Sequence, residues 1–152
     1  QSLELFIKPP KIGTPTPPHQ DGFYFCLEPS TALTAWLALD DMDDENGTLH
    51  YVAGSHKNGV LAHGASQVLG FSQGVTAGDL AEFGREVDCP LHRGDLLVHD
   101  SLTIHRAEGN TSKRLRRALA MVYYGKSAQR DEVAYRRYQD SAKAQQQEMG
   151  VH

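Results

Sequence analysis

His19, Gln20 and Asp21 set an imidazole and a carboxylate two residues apart. Side chains on a β-strand alternate with period 2, so residues 19 and 21 of one strand would point to the same side and grip one metal ion together. A second imidazole from a distant strand, His105, would complete a set of two histidines and one carboxylate. Such a set holds one face of an octahedral iron(II) and leaves the other positions open for a co-substrate and O2. Arg116 lies eleven residues after His105. Its guanidinium suits bidentate binding of a dicarboxylate beside the metal. It shares an expected strand face with Ala118 and Ala120, whose small side chains leave interior room.

The His-x-Asp pair alone says little. With 8 His and 19 acidic residues in 152 positions, about one such pairing arises by chance. Only His19 has an acid two residues later. His99 is the rival distal ligand; its plainer role is a strand-end histidine bonding the adjacent turn. The cluster Lys113, Arg114, Arg116 and Arg117 also reads as a solvated turn and strand start. Alternation puts Arg117 opposite Arg116, with Leu119 and Met121, and leaves Arg114 near the strand mouth.

The elements that must position these groups are mostly short strands. Residues 3–8 read as a strand, closed by Pro9-Pro10. Five prolines within 9–18 make an irregular lead-in. Residues 19–27 read as a strand carrying the His-x-Asp pair, with Phe23 and Phe25 on its ligand face. Residues 31–39 read as a buried strand with Trp36, and Asn46-Gly47 as a tight turn before a strand over 48–53. Residues 57–79 contain five glycines without a clear period. They read as a loop or lid whose His63, Gln67 and Phe71 would line a substrate pocket. Short strands follow at 81–83, around Val87, and at 96–100, 103–107 and 115–124. Residues 131–148 read as a helix with Val133, Ala134, Tyr138 and Ala142 on its apolar face. Many short strands with glycine-rich turns argue for a sandwich or barrel.

Composition bounds the function. The length suits one domain spanning 1–152 with a real core. A net charge of −4 gives no broad footprint for nucleic acid, and no apolar run approaches membrane-spanning length. Cys26 and Cys89 form no CxxC, so a reducing, cytoplasmic setting is expected.

The stretches FIKPP (6–10), PHQDGFYF (18–25), ALTAWLALDDMDDENGTLHYVAGSHKNG (32–59) and HRGDLLVHDSLTIHRAEGNTSKRLRRAL (92–119) together resemble the phytanoyl-CoA dioxygenase family of iron(II)/2-oxoglutarate oxygenases. The resemblance implies an all-β core, a double-stranded β-helix (a jelly-roll, cupin-like barrel), with a C-terminal helix. It implies that His19, Asp21 and His105 bind iron and that Arg116 pairs with the C5 carboxylate of 2-oxoglutarate. Trp36 matches a family tryptophan near the co-substrate, and Lys8 stands at a spacing from which it would meet it. The implied reaction consumes 2-oxoglutarate and O2, releases succinate and CO2, and hydroxylates a small organic substrate. Related halogenases carry a small residue in place of the carboxylate, so Asp21 favours hydroxylation. Two departures stand out. Ala107 occupies a position where a serine often meets the co-substrate, a role left to Thr103 or Tyr124. The helical part usual at the N-terminus of the family is also missing.

Two alternatives keep the barrel. A cupin-like metalloenzyme not using 2-oxoglutarate would commonly carry His-x-His, which this chain lacks. A non-catalytic metal- or ligand-binding domain would retain the ligands without turnover. A structural zinc site fits poorly, because neither cysteine stands beside the histidines.

Overall fold

A computed structural model of the chain describes residues 2–68 and 71–148. Its strands are β1 (Ser2–Lys8), β2 (Thr16–His19), β3 (Leu27–Glu28), β4 (Ala32–Ala38), β5 (Leu49–Val52), β6 (His63–Val68), β7 (Phe71–Val75), β8 (Glu86–Cys89), β9 (Leu96–Asp100), β10 (His105–Ala107), β11 (Arg116–Tyr124) and β12 (Gln129–Arg130). Helix α1 is Asp21–Phe25 and α2 is Glu132–Glu148. Two four-stranded antiparallel sheets carry the fold, ordered β1-β11-β4-β9 and β2-β10-β5-β8. This is the jelly-roll arrangement expected from the sequence. Among the described residues no helix is long and apolar enough to cross a membrane.

Alternation in β11 decides what faces inward. Arg116, Ala118, Ala120 and Val122 are buried, while Arg117 is exposed and Leu119 and Met121 are half-buried. Trp36 and Ala38 of β4 meet Ala118 and Ala120 in the core, with Met42, Leu49, Tyr51 and Ala107. Small residues on β11 opposite Trp36 leave a cavity of about 500 Å³ between the sheets. The outer face of the first sheet is also apolar. Leu3, Leu5 and Ile7 of β1 and Leu96 and Val98 of β9 are each at least half exposed there.

Several sequence expectations need correction. Residues 19–27 are not one strand: β2 stops at His19 and the chain turns into α1 at Asp21. The loop expected over 57–79 contains the β6–β7 hairpin. Its glycines hid the alternation, and Gly74 lets β7 lie against Pro17 and Pro18, where an added Cβ would sit 3.2 Å from Pro18 O. Residues 80–83 form a 3₁₀ turn rather than a strand, while the strand expected around Val87 is β8. The strand expected at 103–107 begins only at His105. In α2, Val133 is 61% exposed; the packed face instead runs through Tyr138 to Gln145. Asp131 caps this helix through the N–H groups of Val133 and Ala134. Gln73 Nε2 bonds Ser141 Oγ at 2.7 Å, and Gln145 bonds Ser66 O, fastening α2 to the hairpin.

Candidate metal centre and co-substrate pocket

Gln20 stays extended (φ −119°, ψ 127°) before the turn into α1. Gly22 then approaches the 101–102 segment closely. Its N–H donates to Ser101 O at 2.8 Å, and a Cβ would lie 2.8 Å from Leu102 Cδ2. Gln20 itself is fully buried. Its amide donates to Gly59 O at 2.9 Å and Leu102 O at 2.6 Å, and its Oε1 accepts from Leu61 N–H at 2.8 Å. Its backbone N–H donates to His63 Nε2 at 3.1 Å. The residue between the two expected ligands thus ties their backbone to two other segments, 59–63 and Leu102.

His105 of β10 pairs in register with His19 of β2. His19 Nδ1 lies 2.8 Å from Pro17 O, and His105 Nδ1 lies 3.0 Å from Thr103 O. A carbonyl only accepts, so each Nδ1 carries the ring proton and each Nε2 presents its lone pair. Both Nε2 atoms lie 3.6 Å from Asp21 Oδ1. The three donor atoms fall within 4.8 Å of one another. Strand alternation does not bring His19 and Asp21 together; a strand end and a helical turn do.

Electrostatics favours the ligating forms. Burial, and next the nearby His19, push His105 down to about 3, so it is a neutral imidazole at pH 7. Burial alone would raise the Asp21 carboxyl, but the imidazoles of His105, His19 and His99 outweigh it and hold it well below the usual carboxylate range. Two imidazoles and one carboxylate, grouped on one side of an open cavity, suit an iron(II) ion with positions left for other ligands. A second grouping, His50 with Glu86 and Asp88, differs: Arg106 already engages Glu86 at 2.6 and 2.9 Å.

The same cavity holds Arg116, Trp36, Lys8 and Ala107. Arg116 is 2% exposed, and burial lowers it to about 10, which leaves it a cation at pH 7. Its neighbours in the basic cluster are neutralised on the surface: Arg114 by Asp43 and Arg117 by Asp40. Among the described residues no carboxylate pairs with Arg116, and its buried Nε has no hydrogen-bond partner. Its guanidinium lies 5.5 Å from the Trp36 ring centroid, and the buried Trp36 Nε1 is likewise unpartnered. Unmet buried donors are costly, and two on residues of one cavity suit an anionic occupant.

Lys8 is buried, not solvated. Its Nζ donates to Thr14 O and to Glu108 O at 2.9 Å, closing one wall. Burial, then Arg116, bring it down to about 8. Thr103 lies outside the cavity lining and contributes its carbonyl to His105. Tyr124 is outside it too, so neither residue offers a hydroxyl in place of the one missing at Ala107. The cavity residue opposite Ala107 in register is Thr16. Phe25 lines the cavity, but Phe23 stacks on His63 at 4.1 Å outside it. The side chains of Gln67 and Phe71 lie outside the described residues.

Sequence reasoning missed Thr34, Tyr51, Tyr24 and Tyr138, and it favoured a strand-end His99 bonding the adjacent turn. His99 is buried in the cavity wall with Nε2 3.2 Å from Asp21 Oδ2. Thr34 donates to that same oxygen at 2.6 Å. Thr34 was findable, since it stands two residues before Trp36 on the same strand face. Tyr24 and Tyr138 come from α1 and α2, whose contact no local pattern announces.

Comparison with known proteins agrees with this geometry. Residues 1–118 match the family described as phytanoyl-CoA dioxygenase (PhyH). "Phytanoyl-CoA dioxygenase 1" of Oryza sativa subsp. japonica is 35% identical over 123 residues, covering 80% of this chain and 42% of the rice protein. Among solved structures, the epimerase SnoN in complex with Fe3+, alpha ketoglutarate and nogalamycin RO is 32% identical with a TM-score of 0.69, over 84% of this chain and 50% of SnoN. EvdO2 from Micromonospora carbonacea var. aurantiaca, complexed with 2-oxoglutarate, is 31% identical with a TM-score of 0.68, over 86% of this chain and 54% of EvdO2. The chain spans about half the length of these relatives. On its matched residues and its fold, the chain belongs to the phytanoyl-CoA dioxygenase family.

Proposed function

We propose that this chain is the barrel of an iron(II)- and 2-oxoglutarate-dependent dioxygenase that hydroxylates a small organic substrate, with succinate and CO2 as co-products. One observation carries the reading: a single cavity joins the His19–Asp21–His105 cluster to a buried arginine with no carboxylate partner among the described residues. Iron(II) held by those three residues would supply O2 activation coupled to decarboxylation of the oxoacid. The rest is the chain's own work. Arg116 binds the distal carboxylate of 2-oxoglutarate, and Trp36 walls it and offers Nε1–H. Lys8 closes the 9–16 segment over the pocket by its bonds to Thr14 and Glu108. Tyr24, Phe25 and Tyr138, on the cavity lining, exclude water on the substrate side.

The relatives' length and the apolar outer face of the first sheet support a second part of the reading. A sheet apolar on both faces is normally covered on both, so the barrel works with further polypeptide over β1 and β9. Two free cysteines fit a cytoplasmic setting. The test is turnover: protein with iron(II), ascorbate, O2 and C1-labelled 2-oxoglutarate should release labelled CO2 in proportion to succinate. Iron-dependent binding of 2-oxoglutarate without any release would favour the non-catalytic domain instead.

A further inference from the structure

The two oxygens of Asp21 have different surroundings. Oδ1 faces His19 Nε2 and His105 Nε2, 3.6 Å from each. Oδ2 accepts the Thr34 hydroxyl at 2.6 Å and lies 3.2 Å from His99 Nε2. His99 Nδ1 in turn lies 2.9 Å from the Tyr51 hydroxyl. Thr34, Tyr51 and His99 are all buried. An ionised carboxylate only accepts, so His99 presents Nε2–H to Asp21, and its Nδ1 takes the hydrogen bond from Tyr51 O–H. Tyr51 thereby selects the His99 tautomer that serves Asp21.

We infer that Thr34 and His99, with Tyr51 behind them, are positioning residues that hold Asp21 as a one-oxygen ligand and so keep open the coordination position that O2 requires. This rests on the proposed function. The arithmetic of an octahedral ion is tight. His19, His105 and one Asp21 oxygen would take one face of a bound ion, and the oxoacid would take two of the remaining positions. One is left. A carboxylate free to swing both oxygens onto the metal would fill it. Two hydrogen bonds on Oδ2, from β4 and β9, oppose that swing, and the two strands pair directly with Thr34 opposite His99.

Nitric oxide reports the open position without turnover. Anaerobic iron(II) protein with 2-oxoglutarate is examined for its visible charge-transfer band, then exposed to nitric oxide and examined by electron paramagnetic resonance for the half-integer-spin iron–nitrosyl signal. The unaltered protein, Thr34→Ser and His99→Gln keep a donor to Oδ2 and should give both the band and the signal. The double variant Thr34→Val/His99→Leu should keep the band, because Asp21 still ligates, and lose the nitrosyl signal. An undiminished signal in the double variant would overturn the inference. So would loss of its charge-transfer band with the fold intact, since Thr34 and His99 would then be retaining the ligand itself. No band in the unaltered protein would instead strike the proposed function, and the inference with it.

Discussion

Arg116→Met separates stability from binding. The guanidinium is 2% exposed, lacks a carboxylate among the described residues, and is lowered by burial to about 10. A cation whose folded value is depressed is charged in both states at pH 7, so the whole cost of burying it is present there. That depression corresponds to about 3 kcal/mol against the folded state, and contact with the Trp36 ring returns roughly 1 kcal/mol. Replacement by the apolar, similarly sized methionine should therefore stabilise the ligand-free protein by about 1–2 kcal/mol, or several degrees in Tm for a chain of this size. Binding should move the other way. Removing one partner of a buried charge pair costs about 2–5 kcal/mol, which is roughly 30- to 5,000-fold in Kd for 2-oxoglutarate. Trp36 is the only tryptophan in the chain and lies against Arg116, so quenching of its emission reports binding directly. Urea melts and fluorescence titrations on the same two proteins suffice. The reasoning fails if Arg116→Met is strongly destabilised while its affinity for 2-oxoglutarate stays within about threefold of the unaltered protein.

Three other outcomes follow from the same geometry. Unfolding of the metal-free protein should become easier with acid: His105 is depressed to about 3, so the unfolded chain takes up a proton that the folded one refuses. Stability should then fall by about 1.4 kcal/mol per pH unit as the pH drops from 6 toward 4, with Asp21 adding to the loss below its ordinary range; a flat series of urea midpoints would contradict this. Ala107→Ser should tighten 2-oxoglutarate by roughly 2- to 10-fold, the worth of one added hydrogen bond, and calorimetry showing weaker binding would refute it. Leu5→Lys with Val98→Lys, on the exposed outer face, should reduce self-association of the isolated chain in sedimentation runs and leave the metal site unaltered; unchanged association would remove the argument that this face needs a cover.

The barrel was legible where alternation is strict. Strands β9 and β11 follow their period-2 patterns closely, because each has one face on the core, and β4 was legible as a buried strand. Arg116 was legible for the same reason, its face being shared with Ala118 and Ala120. The ligand set was legible as residue types, yet the stated geometry for Asp21 was wrong. Gln20 leaves the sheet to bond Gly59, Leu61 and Leu102, and no local propensity encodes partners some forty and eighty residues away. The surroundings of Asp21 were illegible for a related cause. Thr34, Tyr51 and His99 come from three strands whose side chains meet only after the two sheets close, so their hydrogen bonds are facts of tertiary packing. The β6–β7 hairpin hid behind its glycines, which remove the apolar alternation that marks a strand.

The central claim is that one cavity binds iron(II) and 2-oxoglutarate together. The most direct measurement adds both to the metal-free protein without oxygen and records the visible iron-to-oxoacid charge-transfer band, with His105→Ala and Arg116→Ala alongside. A band in the unaltered protein that disappears in both variants is the expected result. A correctly folded protein that gives no band, or a band indifferent to His105 and Arg116, would contradict the account.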